Sequence, residues 1–233
     1  EIDANSPEFR QYWNVVEEMK IASGLPMPRV YVMHDHSPNA FATGRGPQDG
    51  RVCVTTGLLE TLDRDELQGV VAHEMAHIKN KDILFQTVVG IMVGTIVILS
   101  DVLLRSVFWG GMGRRSNNDD NKGAAIFMLI GLVFAILAPI FAQLVRFAIS
   151  RQREYLADAT GAQFTRNPEG LASALNKIAG AHTPLRSHNR GTEHMFISPP
   201  KADFSAAFST HPPIKDRIAR LMEIGRSFQG GRP

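Results

Sequence analysis

The chain has 233 residues, of which 25 are Lys or Arg and 23 are Asp or Glu, giving a formal net charge of +2, and 44% are hydrophobic. That balance excludes a disordered or fibrous chain, allows one or two compact domains, and leaves no basic footprint for nucleic acid. The single cysteine, Cys53, can form neither an intramolecular disulfide nor a cysteine-based zinc cluster, so any metal must be held by His, Asp or Glu.

The first element is an amphipathic helix over Ser6 to Ala22, with Phe9, Trp13, Val16 and Met19 at helical spacing, Ser6 as cap, Pro7 in the first turn and Gly24 at the stop. Arg29 to Met33 and Arg51 to Thr55 read as two strands of a small sheet, joined by a segment rich in Pro, Asn, Gly and Asp. Asp63 with Glu66 three residues later forms a capping-box pattern that opens a helix from Arg64 to Asn80.

From Ile83 to Ser100 there is no charged residue, and as a helix this run reaches about 27 Å, close to a hydrocarbon core of roughly 30 Å. A second uncharged run, Ala124 to Leu144, reaches about 32 Å. Neither has a polar stripe, and the residues between them, WGGMGRRSNNDDNKG, are those of a short polar loop. The pair is therefore read as a transmembrane hairpin over 83–145, with spans at 83–104 and 124–145 and a loop at 105–123. The alternative is a buried hairpin in a soluble core. Gly90 with Gly94, and Gly131 with Ala135, have the four-residue spacing that lets helices approach closely in lipid. Lys79, Lys81, Arg146, Arg151 and Arg153 flank the spans on one side and Arg105, Arg114, Arg115 and Lys122 on the other, which leaves orientation undecided.

After the hairpin the helical pattern runs on unbroken to Thr165, and Asn167 with Pro168 start another helix that ends near Gly180. The stretch from His182 to Thr210 is irregular, with His182, His188 and His194 as surface residues. Pro212 to Phe228 is helical, with Ile214, Ile218, Leu221 and Ile224 on one face. The expected fold class is mainly α with a small β-sheet (α+β), in which residues 1–82 and 146–233 form one discontinuous domain around the hairpin.

His73-Glu74-Met75-Ala76-His77 is an H-E-x-x-H sequence on a predicted helix. Residues i and i+4 share a face there, so two imidazoles can bind one zinc ion while Glu74 reaches a water as general base. A catalytic zinc needs a third protein ligand and an open position. Glu154 in SRQREYLADATGA is the candidate, because Asp158 lies one turn later and can accept a hydrogen bond from a ligating histidine. The alternative is a solvated charged face. His34 and His36 flank Asp35 at a strand end and could share a face, but with no third ligand nearby they are read as a polar strand end.

HEMAH on a helix leading into a membrane hairpin, REYLAD after it, NAFATG before it and STHPPIKDRI near the end together resemble the HtpX-type membrane-bound zinc metallopeptidases, gluzincins related to the CAAX-prenyl endopeptidases. The resemblance runs from about Ser6 to Phe228. It implies a gluzincin-like catalytic domain interrupted by the hairpin and one Zn²⁺ per chain, held by His73, His77 and Glu154. It further implies Glu74 as the catalytic glutamate, Asp158 as support for a ligating histidine, His211 as an oxyanion donor and Asn39 as a contact to substrate backbone.

By the same resemblance the chain cleaves misfolded or membrane-associated polypeptides in a bacterial inner membrane, multi-pass, with the catalytic domain facing the cytoplasm. No nucleic-acid partner is expected, and the oligomeric state is open. The strand at Arg51 to Thr56 is expected to pair with an extended substrate. A non-catalytic scaffold with a structural zinc is the rival reading. Family members commonly have two further hydrophobic segments ahead of this domain, whereas this chain opens at Glu1 with a polar helix and no signal peptide. The expectation is an incomplete chain, which leaves the native number of spans open.

Overall fold

The computed structural model describes residues 1–110, 122–181 and 211–230. The predicted loop residues 111–121, and 182–210 with His182, His188 and His194, lie outside the described residues. Within them the chain is mainly helical with one three-stranded sheet: α1 (Arg10–Ser23), β1 (Arg29–Met33), β2 (Ala40–Thr43), β3 (Arg51–Thr55), α2 (Thr56–Thr61), α3 (Arg64–Lys79), α4 (Asp82–Gly110), α5 (Lys122–Thr165), α6 (Pro168–Gly180) and α7 (Ile214–Gly230). It separates into two compact units, Glu1–Phe85 with Arg151–Pro233, and Gln86–Ser150.

The first unit has one core, built from Tyr12, Val15, Val16 and Met19 of α1, Val52 and Val54 of β3, Val70, Val71 and Met75 of α3, Leu171 and Leu175 of α6, and Leu221 of α7. The buried face of α1 is thus centred on Tyr12 and Val15 rather than on Phe9 and Trp13. The reason is polar as well as apolar, since the Tyr12 hydroxyl donates to the Val52 carbonyl (3.3 Å). Ser6 does not cap this helix. A short 3₁₀ turn (Pro7–Phe9) intervenes, and the Ser6 hydroxyl turns back to Asp3 instead. Gly24 closes α1 in the left-handed region, φ 71°, its N–H bonded to the Lys20 carbonyl.

The sheet order is β1-β3-β2, with β3 parallel to β1 and antiparallel to β2. The turn-rich segment between the two expected strands therefore contains a third strand, with Ala42 opposite Val52. Since β3 is paired on both sides, it cannot take an extended substrate as the sequence reading expected. Among the described residues the sheet's edge strands are β1, met by an isolated bridge from Ile2 to Val30, and β2.

The capping box of α3 is fully formed: the Asp63 carboxylate accepts from Glu66 N–H (3.0 Å), and the Glu66 carboxylate accepts from Asp63 N–H (2.9 Å). Lys81, with φ 55°, separates α3 from α4, and Arg166, also φ 55°, separates α5 from α6. Gly69 and Gly161 let α3 pack tightly. A Cβ on Gly69 would lie 2.6 Å from Leu171 N, and one on Gly161 would lie 3.0 Å from His73 N.

In the second unit, α4 and α5 extend beyond the expected spans, to Gly110 and from Lys122, because no breaker interrupts the helical pattern before the glycine pair at 110–111. Two stretches, Asp82–Arg105 and Gly131–Thr165, are long and apolar enough to cross a membrane, and only 11% of either apolar window is buried. Pro139 lies inside α5, and Arg105 donates to Asp101 one turn away (2.8 Å). A Cβ on Gly90 or Gly94 would meet nothing within 4 Å. The close approach expected at those glycines is therefore absent among the described residues.

Candidate metal centre

The i, i+4 spacing on α3 brings the His73 and His77 rings together, edge to face, with centroids 4.6 Å apart. Their Nε2 atoms are 3.1 Å apart. From α5, Glu154 brings Oε1 to 3.5 Å from His77 Nε2 and Oε2 to 3.8 Å from His73 Nε2. One ligand atom from each of the three residues falls within 4.8 Å of the others, the one such His/Cys/Asp/Glu group among the described residues. His34 and His36 are exposed beyond the end of β1 and belong to no such group.

The residues around the cluster decide which ring atoms face it. His73 Nδ1–H donates to Asp158 Oδ1 (2.9 Å), and His77 Nδ1–H donates to Asp82 Oδ2 (2.6 Å). A carboxylate can only accept, so each ring keeps its proton on Nδ1 and turns an Nε2 lone pair toward the other ring and Glu154. Two lone pairs, that of His73 buried and that of His77 partly buried, and a carboxylate facing one point suit a cation between them, and Arg217 Nη2 already comes to 3.4 Å from His73 Nε2. Tetrahedral zinc with bonds of about 2.0–2.1 Å sets adjacent donor atoms about 3.3 Å apart, which the 3.1 and 3.5 Å separations bracket.

The local charge count agrees. The buried carboxylates of Glu74, Asp82, Glu154 and Asp158 face the guanidinium groups of Arg153 and Arg217. With neutral imidazoles, the assembly falls one positive charge short when Glu74, raised to about 7, is protonated and two when it is ionised. The donor set of two imidazole nitrogens and one carboxylate, and the missing charge, both fit a divalent cation such as zinc.

Arg217 was not read from the sequence as a site residue. It is 1% exposed, donates to Asp158 through Nε (2.8 Å) and Nη2 (2.7 Å), and places Nη1 3.2 Å from Glu154 Oε2. Its signal was present. Arg217 falls three residues after Ile214 and four before Leu221, on the apolar stripe of α7, where a charge must be paired once buried. Asp82 and Arg153 were also missed as site residues, Asp82 because it opens an apolar run and Arg153 because it counted as a flanking positive charge.

Electrostatics separates the carboxyls. Burial pushes Glu74 up to about 7, and the nearby Glu154 charge adds to this against His77, Arg217 and the Ala42 amide of β2, which lower it. Burial would raise Glu154 as well, but His211, Arg217 and His77 beside it hold it well below the usual carboxylate range. Asp158 is held at about 2, because Arg217 and His73 outweigh its burial. Burial lowers His73, against the Asp158 hydrogen bond.

His211, just ahead of α7, sits with Nδ1 3.2 Å from Glu154 Oε2 and is therefore part of the same assembly. Asn39 is buried at the start of β2, outside the three-residue cluster, and its side-chain oxygen accepts from Ala40 N–H (3.0 Å).

The chain is similar to known proteins in family, sequence and fold. The family described as "Peptidase family M48" matches residues 7–225. A "Protease HtpX homolog" of Thermoanaerobacter pseudethanolicus is 53% identical over 224 residues, covering 96% of this chain and 75% of the relative. One from Listeria monocytogenes serovar 1/2a is 47% identical over 218 residues, covering 90% and 72%. Among solved structures, the crystal structure of S. mikatae Ste24p matches with a TM-score of 0.57 at 21% identity, covering 90% of this chain. This chain spans about half of that one, 49%, and the likeness shows a shared fold.

Proposed function

Since the chain belongs to peptidase family M48, we propose that it is a membrane-bound zinc endopeptidase that hydrolyses peptide bonds of misfolded or membrane-associated proteins. The observation that carries this reading is the convergence of His73 Nε2, His77 Nε2 and the Glu154 carboxylate on one point, with Glu74 on the same helix turn. His73, His77 and Glu154 would hold one Zn²⁺. When bound, the ion supplies Lewis acidity that polarises the scissile carbonyl and favours deprotonation of water.

The protein's own groups do the rest. Glu74, whose burial raises its carboxyl into the neutral range, takes the proton of the attacking water and returns it to the leaving nitrogen. His211 donates to the oxyanion from beside Glu154. Asp158 keeps His73 in its Nδ1–H tautomer. Asn39 contributes to substrate contact at the head of β2. The edge along which an extended substrate backbone runs is β2 rather than β3, since the Ala42 amide already meets the Glu74 carboxyl.

The two apolar stretches support attachment to a lipid bilayer: Ile91 (65% exposed), Phe134 (68%) and Phe141 (60%) have no core to fill. The relatives' printed name, a protease, supports peptide-bond hydrolysis, and the sequence resemblance favours a role in protein quality control. The sequence resemblance further favours a bacterial inner membrane with the site facing the cytoplasm.

Glu74→Gln tests the reading. The variant should bind one zinc per chain, as the wild type does, and should lose cleavage of an unfolded membrane-protein substrate by at least about 100-fold. Cleavage at the wild-type rate would overturn the assignment. A zinc-bearing wild type that cleaves nothing would favour the scaffold reading.

A further inference from the structure

We propose that Asp82 is a positioning residue for His77, and that its pairing with Arg153 sets how the His77 imidazole meets the Glu154 carboxylate. The inference rests on the reading of His77 and Glu154 as metal ligands, and goes beyond it to residues that lie outside the motif.

Asp82 is the first residue of α4, directly after the left-handed Lys81, and is 1% exposed. One carboxylate oxygen, Oδ2, accepts the Nδ1–H of His77 at 2.6 Å, shorter than the 2.9 Å between His73 and Asp158. The other, Oδ1, meets the Arg153 guanidinium. Arg153 immediately precedes Glu154 on α5, donates to the Asn80 carbonyl at the end of α3 (2.6 Å), and lies over the Phe85 ring, 5.2 Å from its centroid.

A continuous chain of contacts therefore runs from His77 through Asp82 and Arg153 to the backbone of Glu154. His77 cannot turn its ring without breaking a part-buried, charge-assisted bond, and Asp82 cannot follow it without leaving Arg153. The Asp82 oxygen also fixes the proton on Nδ1, so that Nε2 is the nitrogen left for a cation. His73 gains the same service from Asp158 and Arg217, so the two histidines are braced by two separate acid–guanidinium pairs.

A merely structural ion pair and a positioning residue predict different patterns. In the full-length protein in detergent, zinc affinity is measured by competition with a chromogenic chelator, the Co²⁺-substituted protein by its visible spectrum, and the zinc-free protein by its unfolding midpoint. Asp82→Ala should weaken zinc binding by about 10- to 100-fold and shift the cobalt band. Asp82→Asn restores an acceptor for Nδ1–H without the charge, so it should recover most of the zinc affinity while its unfolding midpoint stays lowered, because Arg153 lacks its carboxylate partner in both variants.

Wild-type affinity in Asp82→Ala would overturn the proposal, as would equal loss of affinity and stability in the two variants. If the alanine variant does not fold, the zinc-loaded wild type labelled with ¹⁵N-histidine decides. Its His77 should report protonation at Nδ1, and protonation at Nε2 would overturn the proposal. Wild-type protein that binds no zinc would defeat the metal-site reading as well, whereas normal zinc binding with indifferent Asp82 variants would defeat only the role of Asp82.

Discussion

Replacing Arg217 by Met probes whether the site is held together by a buried cation. The methionine fills much the same volume but removes the three contacts to Asp158 and Glu154. Both carboxylates are almost fully buried, at 3% and 4% exposure, so neither can recover water in place of the guanidinium. Breaking a buried pair by removing one partner costs about 3–5 kcal/mol, against about 1 kcal/mol or less for an exposed one. For a chain of this size each kcal/mol lowers the unfolding midpoint by about 2–4 °C, so the zinc-free variant should melt roughly 6–20 °C below the wild type. Zinc should restore only part of this loss, since it neutralises Glu154 but leaves Asp158 with the His73 N–H alone in place of the guanidinium. Arg217→Lys should fall between, keeping the charge but not the two-pronged grip on Asp158. Calorimetry or circular dichroism on detergent-solubilised protein reads the midpoint. A fall of less than about 2 °C in Arg217→Met would refute the reasoning, because it would mean that the carboxylates are already solvated.

Two further predictions concern the scaffold. Glu66 is buried, yet its carboxyl lies below the usual range, because Lys177 (2.6 Å), Ser173 (2.6 Å) and the Asp63 amide outweigh the effect of burial. A depressed carboxyl contributes stability that is present above its unfolded pKa and lost as pH falls through the folded value. Between about pH 5 and pH 3 the wild type should therefore lose stability that Glu66→Gln has already lost, and parallel pH curves for the two proteins would refute this. Gly69→Ala should destabilise by about 1–3 kcal/mol despite the roughly 1 kcal/mol better helix propensity of alanine, because the new methyl would sit 2.6 Å from Leu171 N. An unfolding midpoint in denaturant at or above that of the wild type would show that α6 gives way freely.

What the sequence revealed follows the range of the forces involved. The capping box of α3 is a local exchange between Asp63 and Glu66, three residues apart, and the paired imidazoles depend only on helical period, so both can be read from neighbours. The same holds for α5, which continues unbroken through the end of the apolar run to Thr165 and carries Glu154 and Asp158 one turn apart. β2 is different. Ala40–Thr43 is four residues long inside a turn-rich stretch, and it is a strand only because β3 supplies its partner, a contact across at least seven intervening residues. Missing β2 also misplaced the substrate edge, because β3 seemed to have a free side that β2 in fact occupies.

Arg217 shows where a purely local reading fails and how it could be repaired. Read alone, an arginine in a helix is taken for solvent-facing, yet this one lies on the same face as Ile214 and Leu221 and is buried with them. Glu74 and His73 break the apolar run VVAHEMAHI of α3 in the same way, and Glu154 and Asp158 stand one turn apart on α5. A charge that is buried must meet an opposite charge or a metal. Three helices that each carry charges into one core must therefore bring them together, and the signs, acidic on α3 and α5 and basic on α7, say which elements pair. What the charges cannot say is how far apart the atoms come to rest, and that distance, a few ångströms between Nε2, Nε2 and a carboxylate oxygen, is what separates a site that can grip a cation from an ordinary salt-bridge network.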